Sequence, residues 1–191
     1  MRRPPKPLAP ERAWDYALWL LGRQAYTSSE LAERLRRRGL EPELRERVVA
    51  RLRELGLLDD RAYAAAYVRR RRGERGRHAL RAELLRKGVA ESLVEAALAG
   101  DGDEPPLDDR QQLDAAVALL TKHAWRFEAS EAPPEAAADN AAAADAPGAA
   151  DAANAQRRAR ARAIGFLARR GFAPDVASAA LARAWGEERD A

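Results

Sequence analysis

Nine basic residues crowd the stretch from Arg69 to Lys87: Arg69, Arg70, Arg71, Arg72, Arg75, Arg77, Arg81, Arg86 and Lys87, with only Glu74 and Glu83 as acids among them. Four successive helical positions sweep about 300° around the axis, so the run Arg69–Arg72 cannot all face a core. Cations at a helix C-terminus complement the macrodipole at about 0.3–1 kcal/mol each, which accounts for two of these arginines and not for nine basic residues. The remainder reads as a face for an anionic partner, either nucleic-acid phosphate or an acidic protein surface. Arg157, Arg158, Arg160 and Arg162 form a second basic cluster.

The residues that would support catalysis are sparse. Asp59-Asp60 and Asp108-Asp109 are adjacent pairs, which do not converge on one site of a helix. Each pair precedes a helical stretch and reads as N-capping and dipole complementation. His78 and His123 lie in different parts of the chain, with no acidic cluster around either, and the sequence contains no cysteine. No phosphate loop, dinucleotide fingerprint or nucleophile elbow occurs. We therefore expect no catalytic residue, no metal site and no cofactor.

The elements that must carry the basic face are helices. The chain has 191 residues, of which 46 are alanine and 43 are larger apolar residues, so its core is thin. Alanine, leucine and arginine with few β-branched residues favour helix throughout. The sequence also repeats. Leu58-Asp59-Asp60-Arg61 recurs as Leu107-Asp108-Asp109-Arg110, an offset of 49 residues. The same offset carries Leu31, Leu35, Arg38, Gly39, Leu40 and Leu44 onto Leu80, Leu84, Lys87, Gly88, Val89 and Leu93. A third copy follows after a longer interval as Leu167, Arg170, Gly171, Phe172 and Val176.

Each unit reads as three helices. In the first, Ala13 to about Arg23 places Trp14, Ala17, Leu18 and Leu21 at helical spacing. Thr27 and Glu30 have the spacing of a capping box, and Leu31 and Leu35 follow as a buried stripe. Gly39 supplies a left-handed C-cap, and Pro42 opens a third helix with Leu44, Val48 and Leu52 inward. Glu30–Arg34 and Glu33–Arg37 read as i,i+4 pairs. Tyr63 and Tyr67, four residues apart, read as core residues rather than stacking platforms.

Units this small are marginal alone, so neighbours must stack. The expected fold is all-α: three tandem three-helix repeats in an elongated curved array. The boundaries are a flexible tail over 1–10, repeat 1 over 11–58, repeat 2 over 59–100, a linker over 101–108, repeat 3 over 109–185 and a tail over 186–191. Repeat 3 is interrupted at 128–156 by 29 residues with 15 alanines, six acids and no Lys or Arg. Without large apolar side chains that segment cannot offset its ordering entropy, and we expect it to be disordered.

Charge is segregated along the chain. Residues 1–99 carry a net +9, residues 100–156 a net −9 and residues 157–191 a net +4. No apolar run is long enough to span a bilayer, and Met1-Arg2-Arg3-Pro4-Pro5 precedes no secretory apolar stretch. The absence of cysteine fits a reducing compartment.

The stretch Gly56-Leu57-Leu58-Asp59-Asp60-Arg61-Ala62-Tyr63-Ala64-Ala65-Ala66-Tyr67-Val68, followed by Gly76, Leu80, Arg81, Leu84 and Lys87-Gly88-Val89, resembles the signature of the RecX family. Tyr26-Thr27-Ser28-Ser29-Glu30-Leu31 to Arg38-Gly39 fits the first repeat of that family. The resemblance covers residues 11–99 well and 109–127 and 157–185 more weakly. It implies a non-enzymatic, monomeric cytoplasmic regulator acting in recombination, DNA repair and the SOS response. That regulator would bind the RecA–DNA filament, with single- and double-stranded DNA as further partners and no membrane, and suppress ATP hydrolysis, strand exchange and filament growth. The acidic insertion and the proline-rich start depart from the family pattern. Two other readings of the residues stand beside it: a nucleic-acid-binding helical array acting without RecA, and a helical adaptor for an acidic protein.

Overall fold

The computed structural model describes residues 8–100, 105–127 and 149–186. Most of the expected insertion, parts of both tails and part of the expected linker lie outside the described residues. All regular structure among the described residues is helical: α1 Ala13–Leu21, α2 Ser28–Arg36, α3 Pro42–Glu54, α4 Asp60–Arg71, α5 Arg77–Arg86, α6 Glu91–Ala99, α7 Asp109–Lys122, α8 Ala149–Ala168 and α9 Pro174–Ala184, with short 3-10 turns at Pro10–Arg12 and Ala124–Arg126. No helix among the described residues is long and apolar enough to cross a membrane.

The helices form three cores, one per repeat. Ala17, Leu31, Leu35 and Leu52 centre the first, Ala64, Leu80, Leu84, Val94 and Leu98 the second, and Ala116, Leu120, Leu167 and Ala180 the third. By contacts the chain divides into two compact units: residues 1–71 with 80–107, and residues 72–79 with 108–191.

Local signals act as their chemistry dictates. The Thr27 hydroxyl accepts the Glu30 N–H at 3.0 Å and the Glu30 carboxylate accepts the Thr27 N–H at 3.3 Å, completing a capping box on α2. Gly39, Gly88 and Gly171 adopt φ of 79°, 75° and 79°, the left-handed conformation expected after each second helix.

Three expectations need correction. Leu18 is 37% exposed, and the buried stripe of α1 is Ala13, Ala17 and Leu20. Small residues there let the neighbouring helices approach closely, so the bulkier side chains sit to either side of the contact. Helix α8 starts at Ala149, inside the segment 128–156 read as disordered. Its first turns are alanine-rich, and alanine has the highest helix propensity, so a packed helix can extend backwards through them. Glu30 pairs with Lys87 at 2.7 Å rather than with Arg34, while Glu33 bridges Arg36 and Arg37 at 2.6 and 2.8 Å.

Candidate functional site

The paired aspartates do different work at each position. Asp59 accepts the N–H groups of Arg61 and Ala62, at 2.8 and 3.0 Å, and Asp108 accepts that of Gln111 at 2.7 Å, so both cap their helices. Asp60 is buried and faces away from its own helix. It accepts the Ser28 N–H at 2.7 Å and a guanidinium N–H of Arg53 at 3.2 Å. Asp109 is exposed. No group of three or more potential metal ligands exists among the described residues.

The nine basic residues divide between the two units. Arg69, Arg70, Arg71, Arg81, Arg86 and Lys87 belong to the first, and Arg72, Arg75 and Arg77 to the second. In the first unit Arg69, Arg70 and Arg86 are exposed and Arg71 is half-buried. Arg70 and Arg71 each place their guanidinium carbon 5.8 Å from the centre of the Tyr67 ring. Tyr63 and Tyr67 stack at 6.2 Å and 16°, and the Lys87 ammonium lies 5.6 Å from both rings. Tyr67 is buried, as expected of a core residue, and its hydroxyl donates to Glu83 at 2.7 Å. Tyr63 is half-buried and lines a pocket of about 310 Å³ with Gln24, Glu30, Tyr67, Arg70 and Lys87.

Arg81 and Lys87 have acidic partners. Arg81 bridges Glu91 and Glu95, the latter at 2.8 Å, and Lys87 bridges Glu30. Burial disfavours the Lys87 charge, but the hydrogen bonds and charges of Glu30 and Tyr63 outweigh it and hold its pKa above the ordinary lysine value. Arg69, Arg71, Arg72, Arg75 and Arg77 each make further contacts of their own. The backbone N–H of Arg77 donates to Gln112 at 3.0 Å.

The second cluster lies on α8. Arg157 and Arg158 are exposed, with Arg157 donating to Asn154; Arg160 is half-buried and engaged; and Arg162 donates to the Phe127 carbonyl at 3.2 Å.

The structure also assembles a group that the spacing did not single out. In the third repeat Arg170 lies 3.6 Å from the centre of the Phe166 ring, and Arg126 lies 5.8 Å from the same centre. Trp125, beside Arg126, is 67% exposed. Arg170 occupies the position of Arg38 and Lys87, immediately before the left-handed glycine, and all three cations cover an aromatic ring. That shared position was the available signal.

Two family profiles match the chain: "RecX, first three-helix domain" over residues 13–52 and "RecX, second three-helix domain" over residues 59–98. The regulatory protein RecX of Mycolicibacterium smegmatis is 33% identical over 178 residues, 90% of this chain and 81% of that protein. That of Mycobacterium ulcerans is 32% identical over 187 residues, 97% of this chain and 91% of that protein. That of Mycobacteroides abscessus is 44% identical over 91 residues, 47% of this chain and 45% of that protein. The crystal structure of RecX from Lactobacillus salivarius shares the fold, with a TM-score of 0.67 at 21% identity over 92% of this chain and 96% of that one. With three helical repeats and relatives matched across nearly its whole length, the chain belongs to the RecX family.

Proposed function

We propose that the chain is a non-enzymatic cytoplasmic regulator that binds RecA recombinase on DNA and suppresses its ATP turnover, strand exchange and filament growth. The arginines at the end of α4 support this most directly: Arg70, exposed, and Arg71, half-buried, each lie 5.8 Å from the Tyr67 ring of the stacked pair Tyr63 and Tyr67, and Arg69 is exposed next to them in the chain. Arginine and tyrosine are enriched among residues that dominate binding energy at protein interfaces. The named relatives are regulatory proteins, in keeping with control rather than catalysis. The filament contact falls to Arg69, Arg70, Arg71 and Arg86. Arg81 and Lys87 serve the fold through their acidic partners. In this reading the three repeats, 11–58, 59–100 and 109–185, work together as a monomer.

The test is the single-strand-dependent ATPase of RecA, with and without the full chain. Inhibition is expected from the wild type, and relief of inhibition from a chain with Arg69, Arg70, Arg71 and Arg86 all changed to Ala. A folded wild-type chain that leaves RecA unaffected at large molar excess overturns the regulator reading. A folded quadruple variant that inhibits fully overturns the site.

A further inference from the structure

The third repeat concentrates positive charge where the second neutralises it. In the second repeat the cation before the left-handed glycine, Lys87, is held by Glu30 at 2.7 Å. Its third-repeat counterpart is Arg170, and the repeat offset of 49 puts Ala79 where Glu30 stands. In both repeats the carbonyl of the residue before the left-handed glycine accepts a hydrogen bond from the preceding repeat, though from different groups. The Thr27 hydroxyl donates to the Lys87 carbonyl at 2.6 Å, and the Gly76 N–H donates to the Arg170 carbonyl at 2.8 Å. The acid is not retained: among the described residues Arg170 forms no ion pair, and its guanidinium rests on Phe166 and reaches the Phe166 carbonyl at 3.5 Å.

The charges around it are mostly of its own sign. Arg75, Arg126 and Arg169 act on Arg170, opposed by Glu74. Burial, and then these like charges, lower the Arg170 pKa from the ordinary arginine value. Arg126 shares the Phe166 ring, and His123 packs edge-on against it at 5.4 Å. Each guanidinium is attracted to the ring face, but gathering cations on one ring sets that gain against their mutual repulsion. An anion arriving there would remove the repulsion. Trp125 adds the second half of a binding site: its indole is exposed, with the Arg126 guanidinium 5.4 Å from its centre. An exposed aromatic face beside guanidinium groups suits an unpaired base linked to its phosphate, and stacking there is open to any base.

We infer that Arg126, Arg170 and Trp125 form a binding site for single-stranded nucleic acid, the guanidinium groups taking the phosphodiester and the indole stacking on a base. This goes beyond the proposed contact with RecA and lies on different residues.

The experiment measures binding of the full chain to a fluorescein-labelled oligothymidylate by anisotropy across a salt series, without RecA, so it stands whether or not the chain regulates RecA. Two variants are compared with the wild type: Trp125→Ala, and Arg126→Ala combined with Arg170→Gln. Melting midpoints confirm that each is folded, and Arg126→Ala alone, at an exposed position, serves if the double variant is not. Removing two phosphate contacts should make the log–log salt slope shallower by about 1.4, or by about 0.7 for Arg126→Ala alone, and loss of stacking should weaken binding roughly tenfold. An abasic oligomer of equal charge should bind like the Trp125→Ala complex. Wild-type affinity and slope in Trp125→Ala and Arg126→Ala, or tighter binding to duplex than to single strand, would overturn the inference.

Discussion

The carboxylate of Asp60, the first residue of α4, accepts the backbone N–H of Ser28, the first residue of α2, at 2.7 Å across 32 residues of sequence. One repeat thus caps a helix of the repeat before it. The next junction caps the equivalent N–H from further along the partner helix: Arg77, the first residue of α5, donates to the side chain of Gln112, three residues after the first residue of α7, at 3.0 Å.

Asp60→Ala should therefore cost more than an ordinary helix cap. It leaves the buried Ser28 N–H without its acceptor and removes the ion-pair partner of Arg53. Hydrogen bonds to charged groups contribute about 1.5–3 kcal/mol, and a loss in that range is expected in urea unfolding. Asp59→Ala, which removes only a cap at an exposed position, should lose about 1 kcal/mol. Equal losses would contradict the inter-repeat role of Asp60.

Gly88 and Gly56 separate backbone strain from crowding. Both have positive φ, 75° and 67°, but a Cβ on Gly88 would meet Ser29 at 2.3 Å, while one on Gly56 would meet nothing within 4 Å. Gly56→Ala should lose about 1 kcal/mol for the conformation alone. Gly88→Val should lose roughly 2–5 kcal/mol, since overpacking adds to the strain. Similar unfolding midpoints for the two variants would show that the α2 N-terminus gives way without cost.

Arg81 and Lys87 should behave differently from the exposed arginines of α4. Arg81→Ala with Lys87→Ala removes bridges to Glu91, Glu95 and Glu30, so stability should fall while RecA inhibition persists in the folded chain. The loss should be small, about 1 kcal/mol or less for Arg81, because exposed pairs contribute little. Undiminished stability with lost inhibition would move both residues to the partner face.

How legible each feature was depended on its range. The capping box of Thr27 and Glu30 and the left-handed glycines are set by a few neighbouring residues, and the sequence alone located them. The 49-residue offset located the helices because each repeat reuses one pattern. The orientation of α1 was legible only in part: Ala17 is buried and Trp14 and Leu21 pack against the core, but Leu18 faces out, and Ala13 and Leu20, which follow helical spacing as well, complete the buried stripe. The start of α8 escaped because low apolar content argued against order, while alanine propensity and continuation from a packed helix argued for it. The basic run was visible as charge, but a charge count does not reveal ion pairs made across 57 residues, as between Glu30 and Lys87. The cluster at Arg170 depends on a residue that is missing, an acid replaced by Ala79, and only superposing the repeats exposes it.

His123 offers a pH test of that cluster. Burial, and then the charges of Arg170, Arg126 and Lys122, lower its pKa from the ordinary histidine value. The folded chain therefore binds this proton less readily than the unfolded chain. Stability from this group is fully present above the unfolded value, near 6.5, and declines as pH falls below it toward the lowered folded value. The unfolding midpoint of the wild type should drop between about pH 7.5 and about pH 5.5 by more than that of His123→Gln, which carries no titrating group there. An anion seated on Arg126 and Arg170 offsets the charges that depress His123. The C2 proton of its imidazole, followed by NMR, should then titrate at higher pH with saturating oligothymidylate than without it, while His78 serves as the internal reference. An upward shift at both histidines would point to a general effect of bound polyanion. An unmoved His123 in a saturated complex would place the phosphate elsewhere on the chain.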